Sequence, residues 1–231
     1  MPDQRVLIIT GASTGIGAAT ARAAVADGWN VVLAARSEDR LRELAGELGE
    51  ERALVQRCDV TEFADQEKLV AATLDRFGGI DAAFANAGFG AARGFLKESP
   101  EQWRSMVLTN VLGPAFTIRA VMPHFRERRA GHFLLTSSVA GRRSLPGSLY
   151  SATKMAVTGM GESLRQELRN DGLDVKVTIV EPGMVDTPFF DNPVSDALAA
   201  EDIARVVMFV LSQPDRVDIN EVLVRPVKQA G

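Results

Sequence analysis

Tyr150 and Lys154 stand four residues apart in Tyr150-Ser-Ala-Thr-Lys154, where an amphipathic pattern begins that runs to about Asn170. On a helix, side chains at this spacing share a face with Cβ atoms about 6 Å apart. A cation beside a phenol favours phenolate and lowers a pKa that is about 10 in water, giving an acid/base usable near neutral pH. Tyr150 is also the only tyrosine in the 231 residues. The same pair suits a surface helix carrying a part-buried phenol and a solvated ammonium, so the chemistry depends on what other elements bring to it.

The second chemical stretch is Gly11-Ala-Ser13-Thr14-Gly15-Ile16-Gly17, between an apolar run Arg5 to Thr10 and an alanine-rich helical run Ala18 to Asp27 that Gly28 closes. Glycines spaced G-x-x-x-G-x-G let backbone N–H groups approach a pyrophosphate, and the helix N-terminus behind them favours its charge. Ser13 and Thr14 add hydroxyl donors. Where a strand-two acid would hold the ribose hydroxyls of NAD, the chain has Ala35 and then Arg36, which suits a 2′-phosphate; the expected cofactor is NADP(H) in preference to NAD(H). Glu38 and Asp39 are explained by a helix first turn after an N-cap Ser37. Asp59 suits either an adenine amino group or a turn.

These stretches need a scaffold. Strand-like runs at Asn30–Ala35, Ala53–Cys58, Ile80–Ala85, His132–Ser137, Val175–Val180 and Glu221–Val224 alternate with helical patterns to Leu48, over Glu62–Phe77, from Pro100 to about Arg129, from Tyr150, and over Ala200–Leu211. The alternation predicts an α/β fold, one doubly wound parallel sheet with helices on both faces and ligands beyond the carboxyl ends of the strands. Without a composition shift or linker, residues 1–231 read as one domain holding both cofactor and substrate sites.

Composition narrows the function. With 46% hydrophobic and 24% charged residues the chain is an ordinary globular one, and a net charge of −4 argues against nucleic acid as partner. The apolar runs read as too broken by charge for a membrane span, and the first residues leave no room for a signal peptide. A single cysteine, Cys58, makes a reducing cytoplasmic setting the default. Cys58, His124 and His132 form no metal-ligand spacing. A hydrolase reading finds no plausible serine-histidine pair.

Taken in order, Thr10 to Gly17, Cys58-Asp59-Val60, Asn86-Ala87-Gly88, Asn110, Ser138-Val-Ala-Gly141, Tyr150-x-x-x-Lys154 and Pro182-Gly183 with Thr187 resemble the short-chain dehydrogenase/reductase family over nearly the whole chain. The resemblance implies a Rossmann fold and an oxidoreductase acting on alcohol and carbonyl groups, the alternative being a catalytically silent nicotinamide-dinucleotide-binding sensor or scaffold. Tyr150 would move the proton at the substrate oxygen while hydride moves at nicotinamide C4. Lys154 would hold the nicotinamide ribose and depress the phenol pKa. Ser138, rather than the adjacent Ser137, would bond the same oxygen, and Asn110 would position a water between Lys154 and solvent. Cofactor contacts would come from Gly11, Ser13, Thr14, Gly15, Ile16, Gly17, Arg36, Asp59, Val60, Asn86, Ala87, Gly88, Tyr150, Lys154, Pro182, Gly183, Val185 and Thr187. In Asn86-Ala87-Gly88, Ala85 replaces an asparagine often found ahead of it.

Family members commonly assemble as homodimers or homotetramers through their long helices. They cover the substrate with the segment after the Thr187 position, here a short one beginning Pro188-Phe189-Phe190, which implies an open site and a small carbonyl or hydroxy-acid substrate. Further substrate-side candidates are Phe89, Gly90, Arg93, Arg142, Arg143, Leu145 and Leu149, with Arg142 or Arg143 available to a carboxylate. The C-terminal stretch resembles a subgroup with NADP-dependent 3-hydroxy acid and serine dehydrogenases and carbonyl reductases.

Overall fold

A computed structural model describes residues 5–90, 92, 94–146, 149–190, 192 and 194–229. Seven parallel strands form its main sheet, in the order β3-β2-β1-β4-β5-β6-β9. They are β1 (Val6–Thr10), β2 (Asn30–Ala35), β3 (Ala53–Arg57), β4 (Ala82–Ala85), β5 (Ala130–Thr136), β6 (Asp174–Pro182) and β9 (Glu221–Val224). The helices between them are α1 (Gly15–Ala26), α2 (Glu38–Leu48), α3 (Phe63–Phe77), α4 (Pro100–Val107), α5 (Gly113–Arg128), α6 (Leu149–Asn170) and α7 (Ala200–Leu211). A ribbon missed in the sequence, β7 (Val185–Asp186) on β8 (Leu198–Ala199), completes the set.

The central strands are apolar throughout because both faces are covered. Leu7 and Ile9 of β1 join Val31 and Leu33 of β2 in a core with Ala21 of α1, Leu41 of α2 and Val207 of α7. Val6 and Ile8 alternate to the other face, among Leu69 of α3, Val121 and Phe125 of α5 and Leu164 of α6. This is the period-two division of side chains expected of a strand buried on both sides. Chain order reverses between β1 and β4, and the crevice at that switch point is where a doubly wound sheet holds its ligand.

The predicted helix from Pro100 is interrupted by a π-turn, Leu108–Leu112, before α5. Contrary to the sequence expectation that no run approaches span length, Pro100–Arg128 is long and apolar enough to cross a membrane by length and composition. Here it buries Asn110, Thr117, Val121 and Phe125 within the fold. Gly28, at φ +83°, ends α1 as predicted, its N–H bonding Val25 O at 3.0 Å. Ser37 sits at the start of α2, but its hydroxyl makes no cap there.

Candidate active site

The glycine loop brings the N-terminus of α1 to the crevice. Gly11 and Gly15 adopt φ of +68° and +54°, in the left-handed region, and a Cβ on Gly11 would lie 2.8 Å from Ala87 Cα. Gly17 serves packing instead: its Cβ would fall 2.3 Å from Gly11 O, and it does not line the cleft. Thr14 makes no side-chain cap and the first turn of α1 carries no acid, in contrast with the acidic first turns of α2 and α7. The helix therefore presents bare N–H groups and an uncompensated positive end beside cavity-lining Ser13, Thr14, Gly15 and Ile16. That donor set fits the pyrophosphate of a nicotinamide dinucleotide.

The remaining predicted cofactor residues surround the same cleft of about 360 Å³, which Arg36, Asp59, Val60, Asn86, Ala87, Gly88, Pro182, Gly183, Val185 and Thr187 all line. Asn86 clamps three strands: its Nδ2 donates to Thr10 O at 3.2 Å and its Oδ1 accepts from Thr136 Oγ1 at 3.1 Å. Asp59 serves its turn, with Oδ1 accepting from Thr61 N at 3.0 Å and Thr61 Oγ1 at 2.8 Å, while still facing the cleft. Ser37 holds the N-cap position of α2 as predicted, but its hydroxyl makes no cap bond and it also lines the cavity beside Arg36, a role the sequence reading did not assign.

At the reacting centre Ser138 shares a hydrogen bond with Tyr150. The Ser138 hydroxyl also meets Pro182 O at 3.3 Å and accepts from Ala140 N at 3.1 Å, which fixes its rotamer. Ser137 is occupied elsewhere, its Oγ donating to Lys154 O at 2.9 Å and meeting Thr158 Oγ1 at 2.8 Å. Lys154 is buried, donates from Nζ to Thr136 O at 2.7 Å, and lies 5.6 Å from the Tyr150 ring centroid. Burial pushes the Tyr150 phenol up to about 12, against a lowering by Ser138, and pushes Lys154 down to about 8. The lysine alone thus does not depress the phenol as its spacing suggests, because loss of hydration outweighs a cation placed over the ring.

Asn110 does not line the cleft but borders it. Its Oδ1 accepts from Phe89 N at 3.1 Å, and its Nδ2 donates to Phe89 O at 3.0 Å and Thr153 Oγ1 at 3.2 Å. Thr153 Oγ1 in turn donates to Tyr150 O at 2.7 Å. Gly88 lets the group close up, since a Cβ there would lie 3.1 Å from Asn110 Oδ1 and 3.5 Å from Lys154 Nζ.

On the substrate side Phe89, Pro188, Phe189 and Phe190 line the cleft. Arg142 does not: its Nε donates to Glu181 Oε1 at 2.8 Å and its Nη2 pairs with Glu221. Arg143, Leu145 and Leu149 also stay off the cleft wall, and Arg93 lies outside the described residues. The buried Cys58 thiol is pushed up to about 12 by burial and nearby carboxylates, so it is no nucleophile. His124 accepts from Ile80 N at 3.0 Å, and His132, with Nε2 2.8 Å from Thr178 Oγ1, is pushed down to about 3 by burial.

Comparison with known proteins matches residues 5–197 to the short chain dehydrogenase model. An uncharacterised oxidoreductase of Staphylococcus haemolyticus is 41% identical over 229 residues, 96% of this chain and 97% of that protein. An alcohol dehydrogenase of the archaeon Thermococcus sibiricus, complexed with 5-hydroxy-NADP, superposes with TM-score 0.91 at 32% identity, over 99% of both chains. Serine dehydrogenase of Escherichia coli gives TM-score 0.89 at 32% identity, over 98% of this chain and 100% of that one. A short-chain dehydrogenase/reductase of Burkholderia phymatum in complex with NAD gives 0.87 at 28%, over 96% and 89%. With its seven-stranded sheet and dinucleotide crevice, this chain belongs to the short-chain dehydrogenase/reductase family of oxidoreductases.

Proposed function

We propose that this chain is an NADP(H)-dependent oxidoreductase interconverting a secondary alcohol and a ketone or aldehyde, one domain carrying both cofactor and substrate sites. The observation that carries the reading is the hydrogen-bonded Ser138–Tyr150 pair at the cleft, with the buried Lys154 ammonium over the same ring. When bound, the dinucleotide supplies or accepts hydride at nicotinamide C4. The phenol, protonated at neutral pH, donates its proton to the substrate oxygen during reduction and recovers it from the alcohol during oxidation. Ser138 bonds that oxygen and holds it against Tyr150. Lys154, with N–H groups beyond the one given to Thr136 O, holds the nicotinamide ribose. Asn110 positions a water that returns protons from solvent through Lys154.

The N-terminus of α1 and the loop from Gly11 to Gly17 hold the pyrophosphate. Asp59 and Val60 take the adenine, Asn86 to Gly88 its ribose, and Pro182, Gly183, Val185 and Thr187 the nicotinamide. Support for NADP(H) over NAD(H) is the uncharged Ala35 followed by Arg36 and a Ser37 hydroxyl left free of capping, all on the cleft wall. Among the similar structures one carries an NADP analogue and another NAD, so the choice rests on these residues.

A homodimer or homotetramer built on the long helices is the proposed assembly, supported by exposed Val107 and Leu112 in the segment Pro100–Arg128 and exposed Met155 on α6. Neither nucleic acid nor membrane is a proposed partner, and the setting is cytoplasmic. The test is NADPH oxidation against a carbonyl panel by wild type and Tyr150→Phe. The variant should lose turnover while binding NADPH nearly as before; ordinary kcat would refute the mechanism.

A further inference from the structure

The wall next to Tyr150 is aromatic. The Phe189 ring meets Tyr150 edge-on at 5.8 Å, and Phe190 meets Phe189 at 5.2 Å. Gly90 permits this placement, because a Cβ there would come within 2.6 Å of Phe189 Cε1. The two phenylalanines nevertheless remain 40% and 37% exposed. Their rings are fixed by contact with the reacting centre, yet their outer faces are open to a flat apolar ligand.

Charge supplies the second observation. Among the described residues lining the cleft, the cations are Arg36 and Lys154. Arg36 follows β2, across β1 and β4 from the β5 end where Ser138 sits. Lys154 is 3% exposed and already donates to Thr136 O. Of the two arginines ahead of the catalytic helix, Arg142 is held by Glu181 and Glu221, and Arg143 does not line the cleft. A substrate carboxylate brought against Phe189 would surrender its hydration with no described cation to replace it.

Resting on the oxidoreductase reading above, we infer that the substrate is an uncharged ketone or aldehyde bearing an aryl or similarly flat apolar group, seated against Phe189 and Phe190, and not a hydroxy acid or amino acid. In the reductive direction the carbonyl carbon gains hydride from NADPH and the oxygen gains the Tyr150 proton. The products are the alcohol and NADP⁺, and solvent reprotonates the phenolate.

Saturation-transfer NMR on the full chain with NADP⁺ present compares acetophenone and acetoacetate, two ketones that cannot turn over with the oxidised cofactor. Acetophenone should bind about tenfold more tightly, the scale of burying one aromatic face; tighter acetoacetate would overturn the inference. With NADPH, Phe189→Ala should raise KM for acetophenone about tenfold and change acetoacetate by less than about twofold. Gly90→Ala, which displaces the ring without removing it, should act in the same direction, and equal losses for both ketones would overturn the assignment. Arg93→Ala tests the arginine three residues after Gly90 in sequence: a loss confined to acetoacetate would reveal a carboxylate partner and overturn the inference, whereas equal effects on both ketones support it. If wild type fails to oxidise NADPH with any carbonyl yet binds acetophenone in preference to acetoacetate, the oxidoreductase reading fails while the aryl-ligand preference of the Phe189–Phe190 wall stands.

Discussion

Lys154 Nζ lies 5.6 Å from the centroid of the Tyr150 ring and spends one N–H on Thr136 O at 2.7 Å. Burial then governs both groups, raising the phenol to about 12 and lowering the ammonium to about 8. At neutral pH the pair is therefore phenol and ammonium, the forms suited to giving a proton to a carbonyl oxygen.

Because Tyr150 is the only tyrosine, ultraviolet difference absorbance follows its ionisation without interference. The free protein should titrate well above the ordinary phenol value of about 10, and NADP⁺, whose oxidised ring is positive, should bring the midpoint down. Alcohol oxidation, which needs phenolate, should accelerate as pH rises, while carbonyl reduction stays level until the phenol ionises. A midpoint indifferent to NADP⁺ would remove Tyr150 from the cofactor's electrostatic reach.

Arg36 follows β2 on the cleft wall, with Ser37 beside it. Arg36→Asp should weaken NADPH by about 10- to 100-fold, the range for losing a charge-assisted bond to phosphate, and leave NADH within a few-fold. Fluorescence titration with each cofactor separates the two; parallel losses would deny Arg36 a role in the choice.

Asn110 bonds both backbone groups of Phe89 and reaches Thr153, which bonds Tyr150 O. Asn110→Leu should cost about 2–3 kcal/mol of stability, because a side chain 1% exposed would leave its partners unpaired. It should also raise KM for carbonyl substrates more than for NADPH, since the freed segment carries Phe89 and Gly90. Urea denaturation with steady-state kinetics measures both, and unchanged stability would mean the Phe89 loop needs no such tether.

The strands of the main sheet and the helices between them were legible in the sequence to within a few residues. The runs at β2, α7 and β9 match their predicted limits, since apolar period and glycine or proline punctuation are local signals. The glycine loop and the Tyr150 pair were legible for the same reason. What could not be read was settled by distant residues. The π-turn at Leu108–Leu112 lies within an ordinary helical pattern, and β7 and β8 are two residues each, too short for any period. The raised phenol pKa depends on burial that spacing does not reveal. Arg142 reads as a free cation until Glu181 and Glu221, on two later strands, are brought beside it.

That last grouping has a pH consequence with a definite sign. Glu181 is 1% exposed, and burial raises its carboxyl despite the opposing pull of the Arg142 guanidinium. An acid whose folded pKa exceeds its unfolded value binds more protons folded than unfolded across that window, so stability falls as pH rises through it. Arg142→Ala removes the guanidinium that opposes the shift and should widen the window. The variant should lose about 3 kcal/mol at neutral pH, the scale for stranding a buried charge, and progressively less as falling pH protonates Glu181. Adding Glu181→Gln should restore much of the loss and flatten its pH dependence. Urea midpoints of the single and double variants at acidic and neutral pH test this, and a loss independent of pH would show that Arg142 contributes by packing on β6 and β9 instead of by charge.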